Sequence, residues 1–155
     1  MRVRLRSGWG AMNIHYLQHV PFEGPGNIED WARRRRHALG ATRLHGDEWL
    51  PRVKDIEMLA VMGGPMNDYE QASYSWLTKE KRFIESVIAA VGHVLGVCLG
   101  AQLVTDVLEA RVYPCADKAI GWFPIEITAA ASAGHLFAGF PRRLEAFHWH
   151  GARYA

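Results

Sequence analysis

The chain has 155 residues, close to the common size of one domain, and its 49% hydrophobic content is enough to bury a substantial core. Eighteen lysines and arginines against sixteen aspartates and glutamates leave a net charge of +2, too near balance to indicate nucleic acid or a membrane surface as a partner. No apolar run reaches the roughly 18 residues of a membrane span. Two cysteines are too few for a disulfide framework, so a cytoplasmic protein is predicted.

Residues 1–11 differ in character from the rest of the chain. The segment MRVRLRSGWGA carries three arginines and lacks the periodicity of the residues after it. We therefore expect an N-terminal extension over residues 1–11, followed by one domain over residues 12–155.

The first half of the chain alternates predicted strands with a predicted helix. The helix has Asn27 as its N-cap and Gly40 at its end. Short apolar runs predict strands at Met12–Leu17, Ala41–Leu44 and Met58–Met62.

The second half of the chain continues this alternation of strands and helices, and then changes to shorter strand-like pieces. A helix capped by Thr78 is followed by a short strand at Val94–Val97, whose apolar run is typical of a strand covered on both faces, and by a helix over Leu99–Glu109. Later strand-like pieces, which suggest antiparallel additions, are Ala110–Tyr113, Trp122–Thr128 and Leu144–Trp149. The pattern predicts an α/β fold with a mostly parallel central sheet and a site at the carboxyl ends of its strands.

Cys98 is the residue that most clearly suggests chemistry. It lies between a predicted strand and the first turn of a helix, where unpaired backbone N–H groups stabilise a thiolate. Gly96 and Gly100 give the G-x-C-x-G spacing of a nucleophile elbow, and the amide of Leu99 would face a developing oxyanion. The alternative is that Cys98 is a small buried hydrophobe, the commonest fate of a free cysteine.

A second glycine turn strengthens the interpretation. The segment MGGPMN, residues 62–67, ends a predicted neighbouring strand, and Gly64 could supply a second backbone donor. Taken alone, Gly63 and Gly64 would be read as an ordinary strand-ending turn.

The chain resembles the class I glutamine amidotransferases, in particular members similar to the amidotransferase domain of GMP synthase. The resemblance covers about Met12 to Gly151 and is carried, in the family's order, by MGGPMNDYEQASYSWLTKEKRFI, LGVCLGAQL, ARVY, IGWFPIEIT and FHWHG. It implies a flavodoxin-like three-layer sandwich. It also implies hydrolysis of the glutamine side-chain amide through a γ-glutamyl thioester, with release of ammonia and with no metal or cofactor.

The resemblance assigns roles residue by residue. Cys98 corresponds to the nucleophile, and Gly64 and Leu99 correspond to the donors of the oxyanion hole. Substrate-binding roles are implied for Gln102, Trp149, His150 and Gly151.

One part of the family pattern does not occur in these 155 residues. The family takes its catalytic histidine and glutamate from a later motif close to QFHPE, and no stretch here matches it. Ala152 stands where relatives commonly have an acidic residue, and Glu109 where they usually have a glycine. We therefore expect a C-terminally truncated, incomplete domain that lacks the last elements of the fold and has impaired turnover. The pair His148 and His150 is expected to have a structural or hydrogen-bonding role rather than to replace the catalytic base.

Other functions remain open on the sequence alone. A non-catalytic binding or oligomerisation module derived from the same fold is the main alternative, because a missing segment would expose apolar surface and favour a homo-oligomer. If the chain is an enzyme, glutamine is its substrate, and an acceptor-substrate domain or a synthase partner would use the ammonia. A nucleotide binder is less well supported, because the phosphate-binding glycine motifs are absent from the sequence.

Overall fold

The structure, a computed structural model, describes residues 10–90, 92–134 and 136–154. Contacts divide these residues into two compact units, one running to Val112 and the other comprising Tyr113–Arg153. The predicted extension lies almost entirely outside the described residues. Within those residues, no helix is long and apolar enough to cross a bilayer.

The first unit is built on a four-stranded parallel sheet with the strand order β2-β1-β3-β4. Its strands are β1 (Asn13–Gln18), β2 (Ala38–Arg43), β3 (Met58–Val61) and β4 (Val94–Gly96). Its helices are α1 (Asn27–Arg34), α2 (Trp76–Ala90) and α3 (Leu99–Val107). The predicted α/β class with a parallel flavodoxin-like sheet is confirmed.

Alternation along the strands produces two core clusters, one on each face of the sheet. Leu59 and Val61 of β3 pack in the larger cluster with residues of α2 and α3, including Ile84 and Leu103. On the other face, Ile14 of β1 packs in a smaller cluster with residues of α1 and its surroundings. The helices therefore form layers above and below the sheet.

The end of α1 differs from the prediction. The helix ends at Arg34, and Arg36 takes the left-handed conformation (φ 59°) that closes it. Gly40 does not end the helix but lies within β2, paired with His15 of β1. A Cβ at Gly40 would lie 2.8 Å from His15 Nδ1, so a larger residue there would force the histidine ring to shift.

Both predicted N-caps are wrong. Gly26 occupies the cap position of α1 without a side-chain hydrogen bond, and Asn27 is already the first helical residue. Helix α2 begins at Trp76, so Thr78 lies inside its first turn. Local capping patterns tolerate shifts of this size, because tertiary packing supplies most of a helix's stability.

β4 also differs from the expected doubly covered strand. It lies at the end of the described strand order, and Leu95 is 39% exposed. The apolar run predicted the strand correctly but not its exposure.

The second unit contains all but an end residue of each of two long paired strands, β5 (Val112–Glu126) and β6 (Arg143–Tyr154). They are joined by a segment with the short helix α4 (Ala129–Ser132). β5 runs without a break through the interval that separated two predicted strands. Ile127 donates its N–H to the carbonyl oxygen of Arg142 at 2.8 Å. The end of β5 thus meets the start of β6, which is the antiparallel arrangement predicted for this part of the chain.

Candidate active site

The carboxyl ends of three neighbouring strands place the candidate residues of the first unit. Registers pair Leu17 of β1 with Val61 of β3, and Val61 with Gly96 of β4. His19, the Gly63–Gly64 turn and Cys98 follow the ends of these strands by one to three residues. In a doubly wound sheet, ligands bind at this edge, where the strand order reverses between β1 and β3.

Cys98 forms a sharp bend between β4 and α3. Its backbone has φ 52° and ψ −111°, a conformation that costs a non-glycine residue about 1–3 kcal/mol. Its carbonyl oxygen accepts the N–H groups of Ala101 and Gln102, at 3.0 and 3.2 Å, and so belongs to the first turn of the helix. The side chain is exposed. The alternative interpretation of Cys98 as a buried hydrophobe is therefore wrong.

Two glycines allow the strand and the helix to approach at this bend. A Cβ at Gly96 would lie 2.6 Å from backbone atoms of Ala101. At Gly100 it would overlap the carbonyl oxygen of Val61. Both glycines of the G-x-C-x-G pattern are thus required by close backbone contacts, as the nucleophile-elbow interpretation predicts.

The Gly63–Gly64 turn lies against this bend. A Cβ at Gly63 would lie 3.4 Å from Cβ of Cys98, and a Cβ at Gly64 would lie 3.2 Å from Cδ2 of Leu99. The structure therefore brings together the nucleophile candidate and both residues proposed as oxyanion donors.

The first turn of α3 gives this cluster its electrostatic character. Leu99 is the first residue of α3, and its side chain is only 1% exposed. N–H groups in a first helical turn lack acceptors within the helix and favour negative charge. Gln102, one turn after Cys98, is largely buried, at 9% exposure.

The other predicted substrate-binding residues, Trp149, His150 and Gly151, lie on β6 in the second unit. His150 Nδ1 donates to the carbonyl oxygen of Ala152 at 2.9 Å, and His150 Nε2 lies 3.3 Å from His148 Nδ1. His148 is half-buried and also contacts the ring of Phe123 edge-on.

Sequence reasoning missed a buried pair beside the glycine turn. His19 is 1% exposed and Glu80 is fully buried. His19 Nδ1 donates to the carbonyl oxygen of Gly63 at 2.9 Å, and its Nε2 lies 2.8 Å from Glu80 Oε1. One signal was present: Glu80 falls on the apolar stripe of α2, three residues after Leu77 and four before Ile84, where a charged side chain is unexpected.

The pKa of His19 is set by opposing influences. Burial is the largest and lowers the pKa, but the hydrogen bond and charge of Glu80, the Gly63 carbonyl and the charge of Glu23 together raise it above its ordinary value. Relative to the neutral form, the imidazolium form of His19 is therefore more stable in the folded protein than in a free imidazole.

Glu23 is a second residue that the sequence did not indicate. A Cβ at Gly63 would lie 3.1 Å from Oε2 of Glu23, and the same Cβ would lie 3.4 Å from Cβ of Cys98. A carboxylate thus stands at the border of the candidate site.

Comparison with known families identifies related proteins. A family model described as glutamine amidotransferase class I matches residues 33–154. The glutamine amidotransferase-like protein YfeJ of Salmonella typhimurium is 34% identical over 143 residues, which are 90% of this chain and 60% of YfeJ.

Solved structures give the same result. A glutamine amidotransferase from Thermotoga maritima superposes with a TM-score of 0.86 at 29% identity, covering 95% of this chain and 64% of that one. A glutamine amidotransferase from Methylobacillus flagellatus superposes with a TM-score of 0.85 at 25% identity. The match covers 94% of this chain and 58% of the Methylobacillus chain. The chain spans less than two thirds of the length of each of these relatives.

Proposed function

The chain belongs to the class I glutamine amidotransferase family, and we propose that its Cys98 attacks the side-chain amide of glutamine. The membership confirms the resemblance inferred from LGVCLGAQL and its companion motifs.

The proposed reaction has two steps. The Cys98 sulfur forms a bond to the amide carbon, the carbon–nitrogen bond breaks, and the thiol proton leaves with the nitrogen as ammonia. Water then cleaves the resulting γ-glutamyl thioester, which gives glutamate and regenerates the thiol. An acceptor domain or a synthase subunit would use the ammonia.

The observation that carries the proposal is the conformation of Cys98. An exposed cysteine with φ 52° is held between two glycines that no larger side chain could replace without displacing the backbone. Strain of this kind persists where the surroundings enforce it, and it presents a nucleophile outside the strand and the helix.

The surrounding groups have roles consistent with this chemistry. Gly64 and Leu99 would donate N–H groups to the oxyanion that forms when sulfur attacks the carbonyl. We assign Gln102, Trp149, His150 and Gly151 to binding of the glutamine substrate.

Turnover by the 155-residue chain on its own is expected to be low. Amide cleavage requires a base that accepts the thiol proton and returns it to the leaving nitrogen, and the family's histidine and glutamate motif does not occur among these residues. A partner chain could supply it. We therefore expect acylation of Cys98 to be easier to detect than repeated release of ammonia.

A chloroketone analogue of glutamine tests the site directly. The reagent should modify Cys98, as located by peptide mass spectrometry, and an excess of glutamine should slow the reaction. The Cys115→Ser variant should react like wild type, because Cys115 lies on β5 in the second unit, whereas Cys98→Ser should not react. Failure of the wild-type protein to react, or equal labelling of both cysteines, would contradict the proposal.

Ammonia release measures the expected impairment. Glutamine should yield little ammonia with the chain alone, and none with Cys98→Ser. Sustained release at rates of about 1–10³ s⁻¹, typical of enzymes, would show that the chain needs no further catalytic group.

The second unit supports self-association as a second candidate function. Trp122 and Trp149 are 69% and 70% exposed, and Phe147 contacts both rings, with centroids 5.6 and 6.2 Å apart. Clusters of exposed aromatic side chains favour association. Size-exclusion chromatography over a range of concentrations should show dimers that Trp122→Ser weakens, and a monomer at all concentrations would contradict this function.

A further inference from the structure

His19 connects the core of the first unit to the glycine turn beside Cys98. Its two ring nitrogens are engaged in opposite directions, one with the Gly63 carbonyl oxygen at 2.9 Å and the other with Glu80 on α2 at 2.8 Å. Both side chains are fully buried. The ring therefore cannot turn without breaking one of two buried hydrogen bonds, each of which is costly to leave unmade.

This contact fixes a particular peptide group. The carbonyl oxygen of Gly63 and the N–H of Gly64 belong to one planar trans peptide, in which they point in opposite directions. Holding the oxygen toward His19 therefore holds the N–H of Gly64 away from His19. Glycine on both sides would otherwise make rotation of this peptide easy.

Packing around the ring restricts it further. The Trp76 ring lies against His19 with centroids 5.3 Å apart. A Cβ at Gly64 would lie 3.1 Å from Cβ of His19. The turn therefore lies close against the histidine backbone side, and the Trp76 ring packs beside the imidazole.

The pair is a poor source of stability by itself. Glu80 Oε2 is buried and, in the part of the chain that the structure describes, has no hydrogen-bond partner. A buried ion pair with an unsatisfied oxygen often contributes less to stability than apolar side chains of the same volume. Positioning of the peptide accounts for the arrangement better than stability does.

We propose that His19, anchored by Glu80, is a positioning residue that fixes the Gly63–Gly64 peptide so that the Gly64 N–H remains an oxyanion donor beside Cys98. The inference rests on the function proposed above and adds a residue that touches neither the substrate nor the reacting sulfur. It predicts that loss of His19 impairs reactions that generate an oxyanion, and spares reactions of the same sulfur that generate none.

Two alkylating reagents separate these reactions in a Cys115→Ser background. With the chloroketone analogue of glutamine, sulfur attack on the ketone carbon gives a tetrahedral oxyanion, and the product forms a carbon–sulfur bond as the carbon–chlorine bond breaks and chloride leaves. Iodoacetamide forms its carbon–sulfur bond in a single displacement of iodide, without an oxyanion. The variants are His19→Leu, which lacks both hydrogen bonds, and His19→Asn, whose smaller side chain can place an amide N–H near the position of Nδ1. Rates of modification at Cys98 are measured for both reagents, with circular dichroism as the check of folding.

The chloroketone rate should fall about 10- to 100-fold in His19→Leu, less than the 10²–10³-fold cost of removing an oxyanion donor outright. The iodoacetamide rate should stay within about twofold, because the sulfur and the first turn of α3 are unchanged. His19→Asn should recover most of the chloroketone rate. A folded His19→Leu variant whose two rates fall together, or do not change, overturns the proposal.

A second variant covers the case in which His19→Leu does not fold. Glu80→Met removes the anchor of the ring, fills the same space and leaves the Nδ1 donor in place. It should lower the chloroketone rate selectively but less than His19→Leu would, and an unchanged ratio of the two rates overturns the proposal. If wild type does not react with the chloroketone at all, the proposed function itself fails, which is a separate outcome.

Discussion

Gly100 at the start of α3 lies directly against Val61 at the end of β3, so that a Cβ on the glycine would overlap the valine carbonyl oxygen. Because this oxygen is backbone, only a shift of the helix or the strand could relieve the overlap. We predict that Gly100→Ala lowers the free energy of unfolding by roughly 2–3 kcal/mol and slows modification of Cys98 by the chloroketone. Urea unfolding and mass spectrometry measure the two effects.

Gly46 provides the control for this substitution. It lies in a short 3-10 turn, Leu44–Gly46, where a Cβ would meet nothing within 4 Å. Gly46→Ala should change the free energy of unfolding by less than about 0.5 kcal/mol. Equal effects at Gly46 and Gly100 would show that the close contact with Val61 does not matter.

Glu109 closes α3 in a conformation suited to glycine. Its φ is 61°. Its N–H donates to the backbone carbonyl oxygen of Asp106 at 2.9 Å, and the N–H of Ala110 donates to that of Thr105 at 3.1 Å. This is the Schellman pattern. Glu109→Gly should therefore raise the free energy of unfolding by about 1 kcal/mol, since the left-handed conformation costs a non-glycine residue about 1–2 kcal/mol.

Glu109→Ala distinguishes backbone strain from an effect of charge. Alanine removes the carboxylate but keeps the strained backbone, so this variant should show no comparable gain. Similar stabilisation by both substitutions in thermal or urea unfolding would assign the effect to charge instead.

His15 should make stability depend on pH. Burial is the main influence on its pKa and lowers it below the ordinary value, partly offset by the charge of Glu48. Below about pH 6.5 the unfolded chain therefore binds a proton more readily than the folded chain, and stability falls as pH decreases. His15→Gln should lose less stability than wild type between pH 7.5 and pH 5.5 in urea unfolding, and parallel curves for the two proteins would contradict this.

The Glu23 carboxylate beside Gly63 should influence which reagents reach Cys98. Glu23→Gln removes a negative charge, so the rate with anionic iodoacetate should rise relative to neutral iodoacetamide, by roughly two- to fivefold at low salt. Using the ratio of the two rates removes effects common to both reagents. Glu57→Gln is the matched control, because Glu57 precedes β3 at the opposite end of the sheet, and an equal rise there would exclude a local effect of Glu23.

The sequence predicted the elements near the candidate site because its signals there are local. The apolar run before Gly63 and the G-x-C-x-G pattern around Cys98 each specify a strand followed by a tight turn, and the structure contains both. The predicted end of α1 and start of β2 were wrong because Gly40 lies in a strand rather than at the end of the helix. Its place there depends on the ring of His15, which is 25 positions away on another strand. No local pattern contains that information.

The same limit explains why the buried pair was missed. His19 and Glu80 are 61 positions apart in the chain, and only the packing of α2 against the sheet brings them together. A charged residue on the apolar stripe of a helix indicates a buried partner, but the sequence does not say which residue that partner is.

β3 pairs with β1 on one side and with β4 on the other, and the residues around the candidate site follow these three strands. Amide protons in the middle of such a sheet exchange with solvent mainly when the whole unit opens, not through local fraying. The geometry around Cys98 should therefore be lost in one cooperative step on heating rather than gradually. At a temperature where a small fraction of the molecules is unfolded, fewer molecules would have a reactive Cys98. Each molecule that is still folded would react at an unchanged rate.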